Sequence, residues 1–252
     1  MPDLSTVGWL VVGLCAFTVG ASKTGLPGAG ILVVPLMAMV FPEEQTKQSV
    51  GVLLGVLILG DMFAAAYHRR NAQWGHVLRL LPATAAGIVA GWQAMRFVTN
   101  QQLEPIIGGI VLLMLGLNYW RTRRLDEDAP VPSACGGWWF AAMLGFAAGV
   151  TTMMANAAGP VMIIYLLAMQ LPKFHFVGTS AWFFFIVNWV KVPFHANLDT
   201  MTLGTVKLDL LMLPLVAAGA LAGIFLLKRI PQRLFNGIVQ ILAALAALKL
   251  VF

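Results

Sequence analysis

Apolar segments close to the length of a bilayer span recur from one end of this chain to the other. A membrane-spanning helix needs about 20 predominantly apolar residues. Segments of this kind fall at 46–67, 77–97, 103–120, 176–194, 207–227 and 234–251. Because 60% of the residues are hydrophobic and only 10% are charged, little polar sequence remains to cover a soluble domain. The sequence therefore predicts an all-α polytopic membrane protein embedded in a lipid bilayer.

The positive charge of the chain is explained by membrane topology. A net charge of +6 would suggest nucleic-acid binding in a soluble protein, but here the basic residues bunch in short connections between apolar segments. We therefore expect no nucleic-acid partner. The two cysteines, Cys15 and Cys135, lie within or beside apolar segments without metal-ligand spacing. We expect them to be packing residues, and we expect no metal and no other cofactor.

Segments in the first half of the chain resemble segments in the second half. "LLPATAAGIVAGW" (80–92) matches "MLPLVAAGALAGI" (212–224), with the proline and both Ala-Gly pairs in identical spacing. "GDMFAAAYHRR" lies over "VNWVKVPFHAN", which pairs Asp61 with Asn188. "GASKTGLPGAG" likewise lies over "GVTTMMANAAG". Three matches in the same order indicate an internal duplication.

The duplication divides the chain at one polar stretch. "RTRRLDEDAPVPSACGG" (121–137) is a linker rich in charged residues, with proline and glycine. The interpretation is a first membrane repeat at 1–120, a cytoplasmic linker at 121–137, and a second membrane repeat at 138–252.

Each half begins with an interrupted apolar stretch. In the first half the arms at 8–21 and 28–41 are each 14 residues long, which is about 21 Å at ~1.5 Å per residue. Neither arm is long enough to cross a ~30 Å hydrocarbon core alone, and together they exceed one crossing. We expect a re-entrant hairpin in each half, with its tip near mid-membrane, followed by three transmembrane helices.

The basic residues favour that arrangement. If each hairpin enters and leaves on one side, one side of the membrane collects Arg69, Arg70, Arg79, Arg121, Arg123, Arg124, Lys173, Lys228, Arg229 and Arg233. The other side keeps only Lys47, Arg96, Lys207 and Lys249. By the positive-inside rule both termini are then non-cytoplasmic and the two repeats are inverted, as in many secondary transporters. The first segment lacks the basic start of a signal peptide, so we expect it to remain in the mature protein.

The interruptions predict an anion site. A helix break inside a membrane is tolerated only where it faces protein or a wet cavity. Two helix amino ends aimed at the membrane centre carry partial positive charge, and Lys23, which costs about 3 kcal/mol at that depth, would be offset by a bound anion. The candidate substrate-binding residues are Ser22, Lys23, Thr24, Gly25, Pro27, Gly28, Gly30, Thr151, Thr152, Asn156, Gly159 and Pro160.

Simpler interpretations of these residues stay open. Glycine-proline breaks also occur as plain kinks, and Lys23 could snorkel or pair with Asp61. Ser and Thr hydroxyls often bond back to their own helix. The spaced glycines Gly51/Gly55, Gly87/Gly91 and Gly219/Gly223 are expected to pack helices within the protomer, although a homodimer contact is also open.

Four further residues are candidates for coupling transport to a gradient. Asp61, as the one carboxylate well inside an apolar helix, suits proton coupling, with a static ion pair to Lys23 or Lys191 as the alternative. Lys191 lies near a helix end, so we expect it to snorkel rather than to touch substrate. His68 and His195 lie at equivalent helix ends, where structural roles are commoner than proton relays.

These features together resemble the sulfite exporter TauE/SafE family over almost the whole chain. The resemblance rests on "GASKTGLPGAGILVVPLM", and on "GVTTMMANAAGPVMIIYLL" with "GTSAWFFFIVNWVKVPF". It implies a bacterial inner-membrane carrier of sulfur-containing anions such as sulfite and organosulfonates, coupled to an ion or proton gradient. Carried over by position, the motif implicates Gly25, Pro27, Gly28, Gly30, Pro35, Gly149, Asn156, Gly159 and Pro160. The second break, "TTMMANAAGP", departs from the glycine-rich break of many members, which changes the donors at the site.

The expected function is therefore a secondary transporter, working as an exporter of small sulfur-containing oxyanions by alternating access. An anion channel and a carrier of small carboxylates are the alternatives; inverted repeats favour a carrier over a channel. An intramembrane enzyme would need a nucleophile–base pair or a His-rich metal set at depth. The sequence offers neither pattern, so we expect no enzymatic activity.

Overall fold

The computed structural model describes residues 4–41, 46–99, 101–102, 137–231 and 234, and the regular structure of these residues is entirely helical. Five of the described helices are long and apolar enough to cross a membrane. The prediction of an all-α polytopic membrane protein is therefore confirmed. The helices predicted at 103–120 and 234–251, the predicted linker and Cys135 lie wholly or almost wholly outside the described residues.

The described residues form eight α-helices and one short 3-10 helix. They are α1 (Thr6–Thr24), the 3-10 helix (Ala29–Leu32), α2 (Val33–Val40), α3 (Thr46–Tyr67), α4 (Trp74–Phe97), α5 (Trp138–Ala155), α6 (Gly159–Ala168), α7 (Lys173–Asn197) and α8 (Leu203–Arg229). The uninterrupted helices predicted at 46–67, 77–97, 176–194 and 207–227 correspond to α3, α4, α7 and α8. The prediction of these four helices is confirmed.

The first arm of each interrupted stretch is longer than expected. Helix α1 has 19 residues and α5 has 18, so at ~1.5 Å per residue each is about 27–29 Å long. The prediction that neither arm can cross alone is wrong for these first arms. Ser22, Lys23 and Thr24 continue α1 past the predicted end at residue 21, because each polar side chain finds a partner inside the protein. The second arms, α2 and α6, have only 8 and 10 residues.

Each short arm folds back along its long arm. Val40, the last residue of α2, packs against Gly8 near the start of α1. In the second half, Tyr165 of α6 stacks on Phe140 near the start of α5, with 6.1 Å between the ring centroids. Both interrupted stretches are therefore helical hairpins.

The two hairpins approach the bundle from opposite ends. The tip of the first lies at the end of α3, because the ring of His68 bonds to the carbonyl oxygen of Thr24 at 3.0 Å. The base of the second lies at that same end, because His76, at the start of α4, bonds to the hydroxyl of Tyr165 at 2.9 Å. We call this the His68 end. The opposite end is marked by Lys47, at the start of α3, which donates to the carbonyl of Met95.

Helices α1 and α8 pack backbone to backbone. A Cβ atom at Gly20 would lie 2.1 Å from the carbonyl oxygen of Val216, and one at Gly219 would lie 2.0 Å from the carbonyl oxygen of Phe17. Without side chains at these positions, the two helices approach closely over a long contact.

Helices α4 and α5 pack in the same way. A Cβ atom at Gly87 would lie 2.2 Å from the carbonyl oxygen of Phe146, and one at Gly149 would lie 2.2 Å from that of Thr84. At the other predicted positions the near atoms differ: Gly51 meets the carbonyl oxygen of Thr200, Gly55 the carboxylate of Asp209, Gly91 the side chain of Met153, and Gly223 the hydroxyl of Thr24. The prediction that Gly51/Gly55, Gly87/Gly91 and Gly219/Gly223 make close packing contacts within the protomer is confirmed.

Large apolar side chains cover much of the outer surface. Leu10, Trp139 and Leu221 are each about 70% exposed, at 71%, 72% and 69%. The interior holds Tyr165 and Phe183, which are at most 1% exposed. An apolar exterior of this extent would be a liability in water, but it is the surface that a lipid bilayer requires.

Candidate functional site

The first break is a tight turn against α8. A Cβ atom at Gly25 would lie 1.9 Å from the carbonyl oxygen of Gly223, so only glycine fits there. Gly28 has a φ of 104°, a conformation that glycine adopts without steric cost. The backbone N–H of Gly30 then donates to the hydroxyl of Ser22 at 3.0 Å, which ties the two arms together.

An α-helix does not follow the first break directly. Pro27 lies in the turn, the 3-10 helix comes next, and α2 begins only at Val33. The prediction of a helical arm that begins at residue 28 is therefore wrong in the first half. The positive φ of Gly28 is the physical reason, because it lies outside the helical region and delays regular hydrogen bonding.

The second break ends α5 at Asn156 and starts α6 at Gly159. Asn156 adopts the left-handed conformation, with φ 52° and ψ 27°, which asparagine tolerates better than most residues. Its amide donates to the carbonyl of Val50 on α3 at 2.8 Å. Pro160 lies in the first turn of α6, where a missing N–H costs nothing. In the second half, therefore, an α-helix begins three residues after Asn156.

A cavity lies between the two breaks. Predicted substrate-binding residues line it from both halves, namely Ser22, Lys23, Pro27, Gly28, Gly30, Thr152, Asn156, Gly159 and Pro160. Apolar side chains, including those of Val34, Leu57 and Ile163, complete much of the wall. The fold therefore brings residues that are more than 120 positions apart in sequence to one cavity.

Three predicted site residues lie outside the cavity lining. Thr24 is fully buried, and its hydroxyl has the carbonyl of Ala220 on α8 as an acceptor at 2.8 Å. The neighbouring Gly25 packs on α8 as well. Thr151 donates to the carbonyl of Ala147 in its own helix at 2.7 Å. For Thr24 and Thr151 the bond to main-chain carbonyls leaves no hydroxyl facing the cavity.

Lys23 lines the cavity and forms an ion pair with a buried carboxylate. Its ammonium lies 2.8 Å from Oδ1 of Asp61, and the two side chains are 13% and 0% exposed. Asn188 on α7 donates to the other carboxylate oxygen at 2.6 Å. The ammonium also lies 4.2 Å from the ring centroid of Phe184, within the range of a cation–π contact. Of the two interpretations of Asp61, the ion pair with Lys23 is the one the structure contains.

Lys191 is fully buried behind the second break, so the expectation that it snorkels is wrong. Its ammonium donates to the carbonyl of Thr152 at 3.0 Å, to the Thr152 hydroxyl at 2.9 Å and to Oδ1 of Asn156 at 2.6 Å. Three acceptors match the three N–H donors of an ammonium group. The end of α5 thus supplies neutral hydrogen-bond acceptors for the Lys191 ammonium, and Lys191 fixes the side chain of Asn156.

His68 and His195 are both buried and neither lines the cavity. Because a carbonyl oxygen can only accept, Nε2 of His68 donates to Thr24 and holds the first tip against the end of α3. Nδ1 of His195 lies 2.8 Å from the hydroxyl of Thr200, in the turn before α8. Each of the two imidazole rings therefore has a hydrogen-bond partner inside the protein.

Helix α7 contributes cavity residues that the sequence did not single out. Ser180, Phe184 and Asn188 line the cavity and share one face of the helix, four residues apart. The signal for Asn188 was its alignment with Asp61. No sequence signal placed Phe184, because an aromatic run such as "AWFFFIVNW" fits a cavity wall and a lipid-facing surface equally well.

Asp61 is not the one buried carboxylate. Asp209, in the second turn of α8, is 4% exposed, and neither of its oxygens has a hydrogen-bond partner among the described residues. It lies against α3, where a Cβ atom at Gly55 would come within 1.8 Å of its Oδ2. Sequence reasoning missed it because a carboxylate near a helix start is usually exposed.

The cavity lining includes one lysine ammonium and one helix amino end. Lys23 pairs with Asp61. The amino end of α6, at Gly159, adds the positive end of a helix dipole. With hydroxyl and amide groups at Ser22 and Asn156, the cavity has the electrostatics and the donors to hold a small anion.

The sequence was compared with known proteins. A protein-family model described as Sulfite exporter TauE/SafE matches residues 11–250. No curated protein and no solved structure matches the chain. The family match covers both halves and both breaks, and the family is one of membrane transporters of sulfite and related sulfur anions. This chain, a multi-pass membrane protein with an anion-compatible cavity, belongs to the sulfite exporter TauE/SafE family.

Proposed function

We propose that this protein is a secondary transporter, working as an exporter, which carries a small sulfur-containing oxyanion such as sulfite or an organosulfonate by alternating access. The anion occupies the cavity between the two breaks. One observation carries the proposal: Lys23, Ser22 and Asn156, drawn from opposite hairpins, line one cavity. Ammonium, hydroxyl and amide donors suit the oxygens of a sulfonate, and the apolar wall suits its organic part.

Alternating access rests on two inverted repeats, at 1–120 and 138–252, joined by the linker 121–137. Support comes from the hairpins, which approach the bundle from opposite ends. It also comes from helix packing, since α1 packs on α8 through Gly20 and Gly219, and α5 packs on α4 through the aligned glycines Gly149 and Gly87. Exchange of two such arrangements around a fixed site is the usual basis of alternating access.

We further propose that the His68 end faces the cytoplasm of a bacterial inner membrane, with both termini on the other side. The described basic residues at the His68 end are Arg69, Arg70, Arg79, Lys173, Lys228 and Arg229. Those at the opposite end are Lys47, Arg96 and Lys207. This excess of positive charge is the bias that cytoplasmic loops carry.

A binding screen followed by counterflow tests the proposed function. Purified protein is screened by thermal shift against sulfite, thiosulfate, methanesulfonate and small carboxylates. Proteoliposomes preloaded with the best ligand should then accumulate the same labelled anion transiently from outside. Preference for acetate or succinate over every sulfur anion would assign a carboxylate carrier instead. Flux without counterflow would assign a channel.

The matched variants are Lys23→Met and Lys47→Met. Lys23 lines the cavity, whereas Lys47 donates to Met95 at the far end of the bundle. Only Lys23→Met should remove the thermal shift and the counterflow. Equal anion binding by both variants would contradict the proposed site.

A further inference from the structure

We propose that an anion entering the cavity takes the Lys23 ammonium away from Asp61, and that Asp61 then binds a proton. This inference rests on the proposed function and adds its coupling: each singly charged anion travels with one proton, so export runs down the anion's own concentration gradient and against the inward proton gradient. The proton comes from solution and forms an O–H bond on the carboxylate. It is released when the anion leaves and Lys23 returns to Asp61.

Lys23 is shared between the cavity and the carboxylate. Its side chain is 13% exposed and lines the cavity, while its ammonium lies 2.8 Å from Asp61, which has no exposure at all. The ring face of Phe184, 4.2 Å away, covers another side of the ammonium. A bound anion and Asp61 therefore compete for the donors of one small cation.

Few other charged groups can stabilise the ionised carboxylate of Asp61. Just past the end of its own helix His68 bonds to the Thr24 carbonyl. From α8, Asp209 lies against Gly55 and Lys228 lies over the ring of Tyr67. Each of these contacts is about 9 Å from Asp61 along α3, at ~1.5 Å per residue. From α7, Asn188 gives a neutral hydrogen bond. Lys191 acts on Asp61 only from beyond salt-bridge distance, because its ammonium is hydrogen-bonded to Thr152 and Asn156. A carboxylate that loses Lys23 here becomes a buried, poorly compensated charge, which is strongly unfavourable.

Proton uptake removes that penalty. With Lys23 on the anion and a neutral carboxyl at Asp61, the buried groups carry the same total charge as in the empty site. Asn188 can turn its carbonyl oxygen, which is buried without a partner among the described residues, towards the new O–H group. The loaded and empty sites are then electrostatically alike, so transport of a monovalent anion is electroneutral.

The direct test is proton uptake on anion binding by the wild-type protein. Isothermal titration calorimetry with methanesulfonate, repeated at neutral pH in buffers of different ionisation enthalpy, reports the protons bound per anion. Methanesulfonate is suitable because it does not titrate itself, whereas sulfite does. We expect about one proton per anion, as linkage requires for a group that changes protonation on binding. Binding without proton uptake overturns the proposal.

Two carboxylate variants then assign the proton. Asp61→Asn mimics the protonated state, so it should bind methanesulfonate at least as tightly as wild type, take up no proton, and lose the fall in affinity at higher pH. Asp209→Asn, the matched control, removes another buried carboxylate away from the cavity. It should retain proton uptake. Loss of uptake in Asp209→Asn with retention in Asp61→Asn contradicts the assignment.

Transport separates this inference from the proposed function. In wild-type proteoliposomes an inside-alkaline pH gradient should drive methanesulfonate accumulation, and a membrane potential alone should not. Asp61→Asn should keep counterflow and lose gradient-driven accumulation. Wild-type counterflow without pH-driven accumulation overturns the coupling and leaves the transporter intact. Absence of counterflow for every anion overturns both.

Discussion

Asp61 and Asn188 occupy aligned positions in the two halves of the chain and hydrogen bond to each other at 2.6 Å. Positions related by a two-fold axis contact each other only where they lie close to that axis. If a two-fold axis relates the two halves, this pair therefore lies close to that axis, between α3 and α7. A group at such a place keeps its position when inverted repeats exchange conformations, which suits a coupling residue.

The halves differ in how they place an ammonium beside the break. Lys23 on α1 lies beside the first break, and the residue aligned with it is Thr152. Beside the second break the ammonium comes from Lys191 on α7, which donates to Thr152. The position aligned with Lys191 is Ala64. Each half thus has one lysine at its break, but only Lys23 lines the cavity.

Two hydroxyls separated by one residue should have different roles. Ser22→Ala removes a cavity-lining donor and the acceptor for Gly30, so anion affinity should fall about fivefold, equivalent to ~1 kcal/mol. Thr24→Val removes the bond to Ala220 on α8, so it should lower unfolding stability by ~1 kcal/mol and leave affinity unchanged. Anion titrations and thermal unfolding in detergent measure the two effects. The reverse pattern would contradict the placement of these hydroxyls.

The contact between α1 and α8 depends on glycine. A Cβ atom at Gly223 would lie 2.3 Å from Oγ1 of Thr24 and 2.5 Å from the carbonyl of Ala21. We expect Gly223→Ala to destabilise the protein by about 1–3 kcal/mol through overpacking. Gly75→Ala is the control, because no atom lies within 4 Å of its Cβ position and alanine favours a helix. Equal melting temperatures for the two variants would count against this close contact.

Asn156 combines a backbone and a side-chain role that two substitutions can separate. Asn156→Gly tolerates the φ of 52° but loses the bonds to Lys191 and Val50. Asn156→Ala loses the same bonds and adds the left-handed strain, about 1 kcal/mol. Both variants should bind the anion weakly, and the alanine variant should also melt at lower temperature. Wild-type anion affinity in Asn156→Gly would show that the Asn156 amide does not take part in anion binding.

The proposed orientation has a labelling test. In a background with Cys15→Ala and Cys135→Ala, single cysteines replace Arg70, at the His68 end, and Leu203, which is 84% exposed at the other end. A membrane-impermeant maleimide should reach Leu203→Cys in intact spheroplasts and Arg70→Cys only in inside-out vesicles. The opposite accessibility would reverse the orientation.

The sequence predicted most of the helices and both breaks because their signals are local. Length and apolar composition define α3, α4, α7 and α8, and glycine and proline mark the turns at Gly28 and Pro160. The length of α1 was underestimated because Ser22, Lys23 and Thr24 look like the polar end of a helix. They remain helical because their side chains bond to residues that are distant in sequence, and no local sequence pattern predicts such partners.

The same reason explains what the sequence missed at the site. Lys191 is buried because Thr152 and Asn156 offer three acceptors across α5 and α7. Asp209 is buried because Gly55 leaves room for its carboxylate on α3. Composition near a helix end favours snorkelling and exposure at both positions, and only tertiary packing decides otherwise.

The most direct measurement for the whole account is a density map of the protein with 2-bromoethanesulfonate, whose bromine locates the anion by anomalous scattering. We expect the bromine signal in the cavity and a sulfonate oxygen at hydrogen-bond distance, about 2.7–3.0 Å, from the Lys23 ammonium. The Lys23–Asp61 contact, which is 2.8 Å in the structure, should then be broken. A sulfonate bound outside the two hairpins, with Lys23 still paired to Asp61, would contradict both the proposed anion site and the proposed coupling.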